Sequence, residues 1–236
     1  MPLQKLLTHL DKQKDPERAA NLARFFKTGA GQYGEGDKFV GLKVPELREA
    51  VKLYWQNLTL LDLKELLRSP YHEYRLAGLL VLVKKYEKGR PAEQKKIYDF
   101  YLAHLDRINN WDLVDLSAPN IVGDYLFTHP RKLLYKYVWS SNLWHRRIAV
   151  LSTFTFIREH DFTDSLKLAE LLLADPHDLI HKAVGWMLRE IGKRDLPTLI
   201  SFLDAHATVM PRTMLRYAIE KLSPAARQNY LILKKH

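Results

Sequence analysis

The 236-residue chain has no cysteine, which excludes disulfides, thiolate zinc sites and cysteine nucleophiles outright. It also lacks a long apolar run, and no stretch approaches the roughly 18 to 20 residues needed to span a bilayer. None of its ten histidines forms a His-x-x-x-His pair with a nearby glutamate, so neither a metal nor any other cofactor is expected. The glycine-rich stretch Gly34-Glu35-Gly36-Asp37-Lys38 is too short and wrongly arranged for a nucleotide cradle, and reads as a loop between the first helices. The opening Met1-Pro2-Leu3-Gln4 has neither the charged nor the apolar part of a secretory signal, so a cytoplasmic protein is expected; a monomer is expected as well.

What the chain does have is positive charge. Lys and Arg number 37 against 27 Asp and Glu, a net +10 that favours a polyanionic partner. Apolar residues recur at helical spacing and no alternating strand pattern appears. Leu76, Leu79, Leu80, Val83 and Tyr86 form one stripe; Ile148, Leu151 and Phe154 form another. Breaks fall at Gly29–Gly41, Ser69-Pro70, Gly89-Arg90-Pro91, Thr128-His129-Pro130, Asp175-Pro176 and Leu196-Pro197, with Ser, Asp and Asn beside them as N-caps. The spacing predicts helices of roughly 10 to 18 residues joined by short turns, an all-α chain forming one domain over residues 1–236.

A repeat underlies the helices. Tyr74–Leu79 can be laid over Arg146–Leu151 and over His181–Trp186, so that Arg75, Arg147 and Lys182 coincide. A period of about 35 to 36 residues puts a further unit at Asn110–Asp115 and predicts a HEAT-like α-solenoid with a concave basic face. One position then reads Arg75, Trp111, Arg147, Lys182, and another, four residues on and on the same helix face, reads Leu79, Asp115, Leu151, Trp186. A cationic row interrupted by an indole suits a nucleic-acid groove better than a protein-binding scaffold.

Asp115 stands where Leu79 and Leu151 are packing residues, and an anion at a partly dry position needs a cationic partner or substrate. Trp111 lies one turn before it, and Trp186 follows Gly185, which permits close approach of another helix or of a ligand. The plain alternative for each indole is core packing, and for Asp115 an exposed or Arg-paired acid. A carboxylate with two indoles makes a receptor for a planar cation, each indole face contributing roughly 0.5 to 2 kcal/mol. An alkylated purine in DNA is such a cation. Arg146, Arg147, Lys182, Arg189, Arg212 and Arg216 are the phosphate-contact candidates, which would position DNA without reading its sequence. Lys84-Lys85, Lys95-Lys96 and Lys234-Lys235 read as solvated pairs.

Four segments together resemble the DNA alkylation repair family of HEAT-like glycosylases, the AlkD type: Gly34–Pro45, Asn110–Asp115, Trp144-His145-Arg146-Arg147 and Lys182–Glu190. The resemblance spans nearly the whole chain. It implies monofunctional cleavage of the N-glycosidic bond of N3- and N7-alkylated purines in duplex DNA, leaving an abasic site. It further implies that Asp115 is catalytic, that Trp111 and Trp186 contact the lesion, and that Arg147 contacts DNA, with no swing of the base into a deep pocket. Asn110 is a departure, since some relatives carry a further tryptophan there. The competing expectation is a non-catalytic relative that binds damaged or branched DNA through the same groove. A bifunctional lyase would need a nucleophilic amine, and no residue is singled out for that role.

Overall fold

The computed structural model describes residues 1–233 as helices and connecting turns, so the Lys234-Lys235 pair lies outside the described residues. Its contacts divide the chain into two compact units, Met1–Ile121 and Val122–His236. The fold is all-α; beyond the helices, one isolated bridge between Lys38 and Tyr71 is the extended pairing among the described residues. No described helix is long and apolar enough to cross a membrane.

In the first unit α1 (Pro2–Asp11) packs on α3 (Val44–Tyr54), with α2 (Pro16–Phe25) between them in sequence. α4 (Leu60–Arg68) turns at Ser69-Pro70-Tyr71 into α5 (His72–Lys88), the centre of the unit, which also meets α3, α6 (Pro91–Leu102) and α7 (Trp111–Asp115). The apolar stripe expected on α5 is present, but every residue from His72 to Val83 is buried. A helix covered on all sides cannot show a narrow stripe.

In the second unit the short α8 (Asp124–Phe127) and α9 (Lys132–Val138) lead into α10 (Leu143–Arg158). α10 packs on α9, on α11 (Thr163–Leu171) and on α12 (Asp178–Gly192). α12 in turn packs on α13 (Leu196–His206) and most closely on α14 (Arg212–Ala218), and α15 (Pro224–Ile232) follows. Long helices each leaning on shorter partners are the helical-repeat pattern that the spacing predicts.

Several local expectations need correction. Leu196-Pro197 opens α13, with the Asp195 side chain accepting from the Thr198 amide; proline suits a first turn because its missing N–H has no intrahelical partner there. At Asp175-Pro176 the cap falls on His177, whose ring accepts from the Leu179 amide. The helix expected around Asn110–Asp115 is five residues long, followed by a π-helical turn at Pro119–Gly123. No Gly-x-Gly-x-x-Gly motif is expected from the sequence, yet Gly29-Ala30-Gly31-Gln32-Tyr33-Gly34 has that spacing; it follows helix α2 and no strand leads into it, so the strand–turn–helix of a dinucleotide site is missing.

Candidate active site

In the first unit the site begins with the capping of α7. The Asn110 side chain, fully buried, accepts from the Trp111 amide at 2.8 Å and donates through Nδ2 to Asp37 at 3.0 Å. The departure from relatives at Asn110 is therefore structural in effect, since this side chain starts the helix and ties it to the glycine-rich loop. Trp111 is half-buried, its ring stacked on Phe26 (5.2 Å between centroids, planes 12° apart) and met edge-on by Phe25, which is 64% exposed. Asp115, one turn further on, is also half-buried, whereas its repeat equivalents Leu79 and Leu151 are wholly enclosed.

Behind α7 lies a buried polar cluster that sequence reasoning did not find. The His72 ring meets Asp37 through Nδ1 at 3.0 Å and Asp112 through Nε2 at 2.8 Å. Arg75 donates to Asp37 at 2.6 Å and to Asn109 at 3.3 Å. The neighbouring Glu73 carboxylate accepts from the amides of Val40, Gly41 and Leu42, so α5 holds both ends of the loop's final segment. Burial works against ionised Asp37, but the His72 hydrogen bond and the Arg75 charge outweigh it and hold that carboxyl below its ordinary range.

In the second unit Trp186 is half-buried on α12, tilted against Phe154 at 5.8 Å, and its indole N–H donates to Glu190 at 3.2 Å. Glu190 is buried and also holds Lys193 and Arg194; burial opposes its charge, yet these partners keep its carboxyl below the usual value. The neighbour that Gly185 admits is a helix: a Cβ there would sit 2.5 Å from the Met214 carbonyl oxygen of α14.

The basic candidates do not form a row of solvated charges. Arg75 is buried in the Asp37 cluster, a place set by a buried carboxylate needing a cation. Arg147 is also buried, with one guanidinium nitrogen donating to the Leu179 carbonyl at 2.5 Å. Arg146 binds Asp175 at 2.7 Å and the Ser140 and Ser141 carbonyls, tying two turns together. Arg189 pairs with Glu220, Lys182 with Asp178 at 2.9 Å, and Arg212 donates to the Leu231 carbonyl. Arg216 is exposed.

Both His177 and His181, four residues apart, have a ring nitrogen engaged with backbone, His177 to the Leu179 amide and His181 to the Asp175 carbonyl. Among the described residues no group of three or more His, Asp or Glu is placed to hold a metal ion.

A family model described as DNA alkylation repair enzyme matches residues 6–222. Among solved structures the fold is similar to a protein from Enterococcus faecalis described as a predicted DNA alkylation repair enzyme. The two are 17% identical, with a TM-score of 0.70 over 89% of this chain and 97% of that one, a likeness that speaks for the fold. No curated protein matches the sequence. The family match covers nearly the whole chain, both candidate indoles and Asp115 included: the chain belongs to the DNA alkylation repair enzyme family.

Proposed function

We propose that the protein is a monofunctional DNA glycosylase that hydrolyses the N-glycosidic bond of cationic N3- and N7-alkylated purines in duplex DNA. The observation that carries this reading is Asp115, a half-buried carboxylate one turn from the half-buried Trp111, at a repeat position where Leu79 and Leu151 are enclosed and the remaining equivalent is Trp186.

An alkylated purine carries its positive charge into the bond to C1′, so the base departs neutral and needs no proton from the enzyme. The sugar is left with oxocarbenium character, and Asp115 would stabilise that charge until water adds at C1′ and gives up a proton. Trp111, and Trp186 in the second unit, would offer indole faces to the cationic base. Arg147 is proposed as a DNA contact, with Lys182, Arg146, Arg189, Arg212 and the exposed Arg216 engaging phosphates. Arg146 and Arg189 are held by acids and Arg147 and Arg212 by backbone carbonyls, which supports a positioning role, since a held guanidinium loses less freedom on binding.

The test is release of N3-methyladenine and N7-methylguanine from methylated duplex DNA by wild type and by Asp115→Asn. The wild type should release both, and Asp115→Asn should be slower by about 10²- to 10³-fold, the usual loss for one electrostatic stabiliser. Duplex binding should weaken steeply with salt in both. Binding without base release by wild type would leave the non-catalytic reading in possession.

A further inference from the structure

Glycosidic cleavage as proposed makes no use of His72, although that residue is 1% exposed and sits among charges. Its surroundings are fully specified. Nδ1 faces Asp37 from the glycine-rich loop, Nε2 faces Asp112 from α7, and Arg75, one turn along α5, shares Asp37. Carboxylates only accept hydrogen bonds, so a ring with a carboxylate oxygen at each nitrogen donates from both and is an imidazolium. Two carboxylates and two cations then balance. Burial opposes the charge, but the Asp112 hydrogen bond and charge, followed by Asp37, overcome it against Arg75 and lift the imidazole to about 9.

Such a cluster is a poor choice for stability alone, because the desolvation of four charges offsets most of their attraction and apolar side chains of similar volume do as well. What it supplies is a fixed geometry, and the geometry leads to Trp111 by two routes. Asp112 is the next residue along α7, so its grip on His72 sets the rotation of that short helix. Phe26 lies against the imidazole (4.9 Å between centroids) and also stacks on the Trp111 indole, while Phe39 stacks on the imidazole at 4.8 Å. A five-residue helix has too few internal hydrogen bonds to hold its own orientation.

We propose that His72, clamped between Asp37 and Asp112, is a positioning residue that fixes α7 and hence the orientation of Trp111 and Asp115 toward the lesion. The part concerning base release rests on the glycosylase reading; the part concerning Trp111 does not.

The experiment uses ¹⁵N NMR of the full chain, with the Trp111 indole signal assigned through Trp111→Phe, together with His72→Gln and the double variant His72→Gln/Asp112→Asn. Both His72 ring N–H groups should be present at neutral pH. The Trp111 indole signal should move as His72 titrates, and this movement should vanish in His72→Gln. His72→Gln should lower kcat for base release roughly 10- to 100-fold per folded molecule, the scale of a small misplacement, with duplex Kd nearly unchanged. The double variant removes one charge of each sign, lets the Gln amide donate to Asp37 and accept from Asn at 112, and should recover much of kcat. A Trp111 signal indifferent to His72 titration, or a His72→Gln whose folded fraction keeps wild-type kcat, would overturn the proposal. Absence of base release by wild type would remove the glycosylase reading alone, since the Trp111 signal is read without substrate.

Discussion

Substituting Gly185 by alanine sets two opposed effects against each other, and the structure decides which wins. In a helix interior alanine is better than glycine by about 1 kcal/mol, so a solvent-facing Gly185→Ala on α12 would stabilise. Here the new methyl would stand 2.5 Å from the Met214 carbonyl oxygen and 2.5 Å from the Tyr217 Cβ, where ordinary contact begins at 3.4 Å. The obstacle includes backbone, so no rotamer change relieves it, and α14 must shift by almost 1 Å. Overpacking of this kind costs about 1 to 3 kcal/mol, and a backbone obstacle belongs at the upper end. The expected net loss is about 2 kcal/mol. Gly78→Ala on α5 is the internal control: its Cβ would meet the Leu66 Cβ at 3.0 Å, so α4 need give by only a few tenths of an ångström, and the net effect should lie within about 1 kcal/mol of zero. Urea denaturation of both variants reads the difference as a shift in midpoint at constant slope. A Gly185→Ala protein as stable as wild type would refute the claim that α12 and α14 are in backbone contact.

Stability should depend on pH through the His72 cluster. Below about 6.5 the folded and unfolded chains both carry the His72 proton and its contribution is complete; as pH rises toward about 9 the unfolded chain sheds the proton first and the contribution declines. The full effect is on the order of 3 kcal/mol, read as a fall in urea midpoint between pH 6.5 and 9.5 that His72→Gln abolishes. Asp37 acts with the opposite sign: its depressed carboxyl contributes above the usual carboxylate value, and that contribution is lost as pH falls through the folded one. Glu73→Gln replaces an acceptor-only group serving three buried amides with one that has a single acceptor oxygen. It should cost about 1 to 3 kcal/mol and speed amide exchange at Val40, Gly41 and Leu42 ahead of the rest of the unit; uniform exchange would contradict the anchoring role.

Periodicity carried the helix class, because α5, α10 and α12 are long enough for their apolar spacing to speak over local noise. It failed at α7, where the same spacing continued through residues that cannot extend a regular helix. Ser117 returns its hydroxyl to the Leu113 carbonyl, and Pro119 follows, so the chain passes into a π turn instead. Aligning Asp115 with Leu79 and Leu151 did single out a carboxylate that is less enclosed than either. The row of cations was legible as residue type but not as environment. Nothing near Arg75 in sequence announces Asp37, 38 residues away, or Asn109, 34 residues away. The His72 cluster was hidden for the same reason, its members coming from a loop (Asp37), the first turn of α5 (His72 and Arg75) and the first turn of α7 (Asp112).

The two units arrive separately at one construction. In the first, a half-buried indole at Trp111 rests on Phe26, and the adjacent Asp112 is buried and bound to the cationic His72. In the second, a half-buried indole at Trp186 rests against Phe154, and Glu190, one turn on, is buried and bound to Lys193 and Arg194 while accepting the indole N–H. An indole that is only core would be enclosed, as Trp144 is, and an indole that is only surface would be free, as Trp139 is at 71% exposure. Trp111 and Trp186 are neither. Each keeps part of its ring open while a neighbouring ring and a charged anchor restrict how it can turn. Ordering an indole, which has only two χ angles, in advance removes about 0.5 to 1 kcal/mol of rotamer entropy from the later step of binding, and a cation–π contact depends steeply on which face is presented. Buried charge that would be extravagant in a core chosen only for stability is therefore intelligible as the mounting of two ring faces.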